Sequence, residues 1–271
     1  MSKNLYYDDV KVIKRGLSKR LKSFFIFFLV VVTVGGVVMA SVYLSRALSV
    51  GNITSALVFG GTEINIKKHQ MYMVTLGEYD TFDDANKVGL GATVQGASGY
   101  VWNINNKYVV IGNIYRSKDD ADKVKTNLSS SNYDVQVFTI NFPKVKLKFD
   151  YENSEVLKIR ESINFLDTVY DVFYDYSIKF DKGTLNNFAI SSGISSLRGE
   201  CKVKITAVQA VLSKYKNTEL QKIIDVLLKV DEILNITMLK TIDNSTTNYS
   251  LKNAISEVVN IKFDLYQDLQ K

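Results

Sequence analysis

The sequence predicts an α+β protein: one N-terminal transmembrane helix, a βαββαβ domain with a four-stranded antiparallel sheet, and then an α-helical bundle. Three observations carry this. Residues 24–44 run for 21 positions without a charge. Residues 72–88 and 108–124 match each other at an offset of 36, with eight of seventeen positions identical. Beyond Pro143, the only proline, apolar residues recur three and four apart, the period of a helix with one buried face. The organisation that follows is a basic tail (1–23), a span (24–44), a tether (45–69), a mixed domain (70–142) and a bundle (143–271).

The span reads FFIFFLVVVTVGGVVMASVYL. A helix rises about 1.5 Å per residue and needs about 20 residues to cross about 30 Å of hydrocarbon. A soluble helix would keep a polar face, and this run has none. Val38-Met39-Ala40 offers a passable signal-peptidase pattern, but the apolar run exceeds the roughly 7–15 residues of a signal core. An uncleaved anchor is the better fit. Six of the seven Lys and Arg in residues 1–23 crowd positions 11–22, whereas Arg46 stands alone on the other flank until Lys67. Positive flanks stay in the cytoplasm, so the N-terminus is expected inside and residues 45–271 outside. Residues 45–69 lack a strong period and read as a short tether, with an extended piece at Ala56–Phe59.

The net charge of +6 suggests nucleic acid until it is located. Residues 1–23 carry +5, residues 24–69 +2, residues 70–142 −2 and residues 143–271 +1. The basic excess therefore lies in the tail, and the body offers no basic face for a polyphosphate. Cys201 is the only cysteine and His69 the only histidine. An intramolecular disulfide and the usual His-rich zinc sites are excluded, and no cofactor or metal is expected.

Within the mixed domain each repeat reads as a β-prone run, a turn and an acidic helix start. Thr81 and Ser117 are natural N-caps, with Asp84 and Asp120 three residues on. Tyr100, Trp102 and Ile104 alternate against Val101 and Asn103, and Asn105-Asn106 fits a hairpin turn into Lys107–Gly112. Ala121, Val124 and Leu128 line a second helix, and Tyr133–Ile140 closes the order β-α-β-β-α-β. That order places both helices on one side of the sheet and leaves the other side for a ligand or partner.

The run Tyr72-Met73-Val74-Thr75-Leu76-Gly77-Glu78-Tyr79 with Asp84-Ala85 resembles the first half of a SPOR (sporulation-related repeat) domain. Gly99-Tyr100, the hairpin, Tyr108-Val109-Val110-Ile111-Gly112 and Asp120–Val124 are similar to its second half. The resemblance covers residues 70–141. It implies binding of peptidoglycan glycan strands stripped of stem peptides at division or sporulation septa, through the open sheet face. The family pattern has Gln where Thr75 stands, a small polar residue at Glu78, Phe at Tyr79 and Pro at Asn113. On this reading Thr75, Tyr108 and Val110, flanked by Glu78 and Tyr115, meet glycan, while Val74, Leu76, Val109 and Ile111 lie under the helices. Trp102 reads as core under the helices, with a sugar platform as the alternative.

The C-terminal region divides into about four helices. Val156, Ile159, Ile163, Leu166, Val169, Tyr170 and Phe173 mark one that ends near Lys182-Gly183. Leu185–Lys216 is expected to be helical with an interruption at Ser191–Gly199. Glu219–Leu239 follows a cap at Thr218, and Leu251–Leu269 closes the chain. An antiparallel bundle buries one stripe of each. No phosphate loop, nucleophile motif or metal spacing stands out. The expectation is a non-enzymatic, membrane-anchored envelope protein that binds peptidoglycan. The alternative is a protein–protein interaction module without glycan binding, in which the sheet or the helical region docks envelope or divisome proteins. An RNA-recognition domain of the same strand order lacks the basic and aromatic strand motif and carries the wrong charge.

Overall fold

The computed structural model describes residues 62–128 and 132–270. The expected span at residues 24–44 and the extended piece at Ala56–Phe59 lie outside the described residues. Among the described residues no helix is long and apolar enough to cross a membrane.

Six strands and six helices follow one another: β1 (Glu63–Ile66), β2 (His69–Tyr79), α1 (Phe82–Val94), β3 (Tyr100–Ile104), β4 (Lys107–Tyr115), α2 (Lys118–Asn127), β5 (Gln136–Phe142), β6 (Val145–Lys148), α3 (Asn153–Asp181), α4 (Asn187–Tyr215), α5 (Thr218–Lys240) and α6 (Asn244–Gln270). The main sheet is antiparallel throughout in the order β3-β4-β2-β5, so the fold is α+β with the βαββαβ order. Local chemistry explains the repeat units. The Thr81 hydroxyl accepts from the Asp84 amide at 3.2 Å and the Ser117 hydroxyl from the Asp120 amide at 3.3 Å, each satisfying an orphan donor at a helix start. Asn105 and Asn106 both take positive φ, 51° and 62°, as a two-residue hairpin of this type demands.

Three local expectations are corrected. The tether ends earlier than residue 69, because β1 pairs antiparallel with β6 and draws residues 63–66 into the body. Helix α4 runs unbroken through Ser191–Gly199. Its glycine serves packing rather than a break: a Cβ on Gly193 would lie 1.9 Å from the Tyr176 hydroxyl of α3. The cap of α5 is Asn217, whose side chain accepts from the Leu220 amide, rather than Thr218.

The boundary expected at Pro143 separates two architectures but not two compact units, since residues 61–271 form one. Helices α1 and α2 cover one face of the sheet over Val74, Leu76, Val110, Ala85, Ala92 and Ala121. The opposite face, expected to be open, is covered by the bundle. Met71, Met73, Trp102, Val109, Ile111, Ile114, Ile140 and Phe142 merge into one core with apolar residues of α3, α4, α5 and α6. Trp102 and Phe142 meet Phe263 of α6 edge-on, with ring centroids 6.0 and 5.6 Å apart. Polar bonds fix α6 in place: Lys252 donates to the Gly96 carbonyl at 2.8 Å, Ser98 and Ser256 share a buried hydrogen bond of 2.9 Å, and Asn260 donates to the Tyr100 hydroxyl at 2.8 Å.

Candidate functional site

The five residues expected to meet glycan do not share a face. Cross-strand pairing sets Thr75 opposite Ile111, and Tyr79 opposite Tyr108. Directly paired residues point the same way, so Thr75 belongs with Val109 and Ile111 on the bundle side. Tyr108 and Val110 lie on the α1/α2 side. Thr75 and Val110 are both fully buried. Tyr108 sits under Phe82 at the start of α1, ring centroids 5.9 Å apart. Tyr115 packs edge-on against Tyr174 of α3, and burial pushes its phenol up to about 12. Glu78 alone is exposed. The faces expected for β4 are therefore exchanged. Val109 and Ile111 lie under the bundle, not under α1 and α2, because register shifts at Val74/Thr75 and Thr75/Gly77 reset the parity between strands. Trp102 is core, as its alternation implied, but beneath α6.

The most concentrated chemistry lies elsewhere, where the start of β2 meets α3 and α6. Lys262 on α6 is buried, with its side chain only 3% exposed. Its ammonium donates to Asp167 Oδ1 at 2.7 Å and faces His69 Nε2 at 3.4 Å. It also lies 5.1 Å from the centre of the Phe142 ring and 5.3 Å from that of Tyr266. Arg116, at the end of β4, bonds Asp167 at 3.1 Å and pairs with Asp171 at 2.8 Å. Its guanidinium caps the Tyr170 ring at 4.9 Å, while the Tyr170 hydroxyl donates to the Ile114 carbonyl. His69 stacks flat on Phe142 at 4.4 Å.

The electrostatics of this cluster follow from burial and partner. Burial drives the Lys262 ammonium below the usual lysine range, Asp167 opposes that, and Arg116 adds to it. Burial alone would raise the Asp167 carboxyl, but Lys262, Arg116 and His69 together hold it below the ordinary range. Burial and then Lys262 lower His69, so its ring is neutral near pH 7. With the ammonium facing Nε2, Nδ1 carries the proton and donates to the Lys67 carbonyl at 3.3 Å.

Above this cluster an open groove of about 600 Å³ is lined by Lys68, His69, Gln70, Tyr72, Arg116, Asn141 and Phe142. Gln70 donates to Asn141 across the β2–β5 pair at 2.8 Å. The groove presents cations, amides and ring faces, a surface suited to holding an anionic or hydroxylated group. Nothing local in the sequence marks His69, because its neighbours Asp167 and Lys262 lie about one and two hundred positions away in the chain. Cys201, buried in α4, donates to the Leu227 carbonyl, and its thiol is pushed up to about 12, which removes it as a nucleophile at neutral pH. Among the described residues no group of His, Cys, Asp and Glu could hold a metal ion.

Comparison with family models, curated proteins and solved structures returned no match.

Proposed function

We propose that the protein is a non-catalytic, membrane-anchored module of the bacterial envelope, held outside the cytoplasm by residues 24–44, that docks another envelope protein. The observation that carries this reading is the covered sheet. The face that the SPOR resemblance assigns to glycan is occupied by α6 and α3 of the same chain. Several of the most exposed apolar side chains lie at the far end of the bundle. Phe188 is 83% exposed, Ile242 73% and Leu239 57%, and the Asn187 amide donates to the Ile242 carbonyl there. Val94, at the end of α1, is 88% exposed and lies two residues from Gly96, which approaches Asn248 at the start of α6. Clustered apolar exposure of this kind marks a protein partner more often than a sugar.

The second reading is binding of denuded peptidoglycan glycan at the septum, in division or sporulation. It is favoured by the repeated βαββαβ unit, whose motifs resemble a SPOR domain, and it would use the groove beside His69 rather than the sheet face. One imaging experiment separates the two. A fluorescent fusion of the full chain is followed in dividing cells with and without amidases, alongside a Phe188→Asp/Ile242→Asp variant. Localisation lost in the double variant but kept without amidases supports the docking module. Localisation that needs amidases, joined by pelleting of the purified full chain with amidase-treated sacculi, overturns it in favour of glycan.

A further inference from the structure

The residues where the chain enters its folded body form a basic pole. Residues 62–70 and 141–150 hold Lys67, Lys68, Lys144, Lys146 and Lys148 against Glu63 and Asp150, a net of +3. Residues 62–271 as a whole sum to zero: +1 for 62–69, −2 for 70–142 and +1 for 143–271. A body without net charge is thus polarised. The fold creates this pole. The antiparallel pairing of Ile66 with Val145 and of His69 with Phe142 brings the Lys67-Lys68 corner beside the Pro143-Lys144 corner.

The ribbon has two unlike faces. Ile64, Val145 and Leu147 are buried, whereas Asn65, Lys146 and Lys148 are exposed. Glu63 pairs with Lys146 at 3.2 Å, while Lys67, Lys68, Lys144 and Lys148 make no ion pair with another described residue. The groove continues the patch through Lys68 on its wall, while Arg116 on the same wall is held by Asp167 and Asp171. This pole also lies at the N-terminal end of α3, where Arg160 donates to the Glu63 carbonyl. The apolar cluster around Phe188 lies at the other end of that helix, 29 residues and about 43 Å away.

We infer that the β1–β6 ribbon and the adjoining groove are a docking face for an anionic bilayer surface. The inference rests on the anchored reading, in which seventeen residues separate Leu44 from Thr62. The occupant is chosen by where the chain enters. Lysines on a ribbon whose first strand follows the tether meet the membrane before any other partner, and polybasic surface segments bind anionic lipid in proportion to their number. The ribbon's inner face is already buried, so contact runs through charge. Headgroup phosphates would meet Lys68 at the groove and the unpaired lysines of the ribbon corners. With this end against the bilayer, the apolar end points away from it, towards the rest of the envelope.

The test uses the full chain reconstituted into vesicles, with a fluorophore on Asn65→Cys and, separately, on Phe188→Cys. Cys201 is buried and stays unlabelled. Transfer to a headgroup acceptor from residue 65 should be about threefold stronger in vesicles with roughly 30% phosphatidylglycerol than in pure phosphatidylcholine, and should fall in about 0.5 M salt. The signal from residue 188 should not depend on lipid charge. Changing Lys67, Lys68, Lys144 and Lys148 together to Gln should abolish the difference, with an unchanged circular dichroism spectrum. Equal transfer in the two lipids, or stronger transfer from residue 188, overturns the inference, and the salt and lipid comparisons need no variant. The anchor is judged separately by alkaline extraction. If extraction strips the chain from phosphatidylcholine vesicles, the anchored reading fails. The docking face then survives only if the chain floats with anionic vesicles and not with neutral ones.

Discussion

Thr75 carries a hydroxyl into a fully buried position of a central strand, and its Oγ1 has no hydrogen-bond partner among the described residues. An unsatisfied buried hydroxyl costs roughly 1–3 kcal/mol, so Thr75→Val, nearly the same shape, should raise stability by about 1 kcal/mol in urea denaturation. A loss of stability would mean that the hydroxyl is satisfied. His69 sets a pH dependence with a definite sign. Its folded pKa lies below the ordinary value of 6.5. As pH falls below about 6.5 the unfolded chain takes up a proton that the folded chain refuses, so stability declines towards the folded pKa. The neighbouring Asp167, held below the ordinary carboxyl range by Lys262, Arg116 and His69, titrates beneath this window. His69→Gln should therefore lose less stability than the parent between pH 7 and pH 5.5, and equal losses would remove His69 as the cause.

Among the elements, α1 meets the entry to β3 at a close glycine pair, Gly89 and Gly99. A Cβ on Gly89 would stand 2.5 Å from the Gly99 carbonyl oxygen, and that neighbour is backbone, unable to swing away. Gly89→Ala should cost about 1–3 kcal/mol by forcing the helix off the strand, although alanine is the better helix former. An unchanged melting temperature would show that the helix can slide. The elements readable in the sequence were those with local signals: the caps at Thr81 and Ser117, the Asn105-Asn106 turn and the three-and-four spacing of the long helices. The β1–β6 ribbon was not readable, because two four-residue strands must find each other across some eighty residues with no turn between them. The break expected in α4 failed for a related reason. Ser and Gly argue locally against helix, but the space Tyr176 needs at Gly193 is a tertiary fact. The site was less legible still. Alternation within β2 and β4 was visible, but which residues of the two strands share a face depends on the register shifts around Thr75.

At the scale of the whole molecule, sheet and bundle hold one core between them. A fragment of residues 62–142 would leave Met71, Met73, Trp102, Val109, Ile111, Ile114, Ile140 and Phe142 facing water. Each large apolar side chain gains roughly 1.5–3 kcal/mol from burial, a sum comparable with the whole stability of a domain. The fragment is therefore expected to aggregate or to melt without cooperativity, while residues 62–271 melt in a single transition by calorimetry. A sharp melt for the short fragment would show that the sheet unit stands alone. The covering helix α6 also has a position in time. It is the last element of the described chain, made after every strand it covers. Until residues 244–270 arrive, the strands lie paired or waiting with one oily face uncovered, which is the condition that invites chaperones, proteases and self-association. A nonsense mutation before Asn244 should thus be harsher than its length suggests. It removes the lid from a sheet already made, and the expected product is a degraded chain rather than a shorter working one.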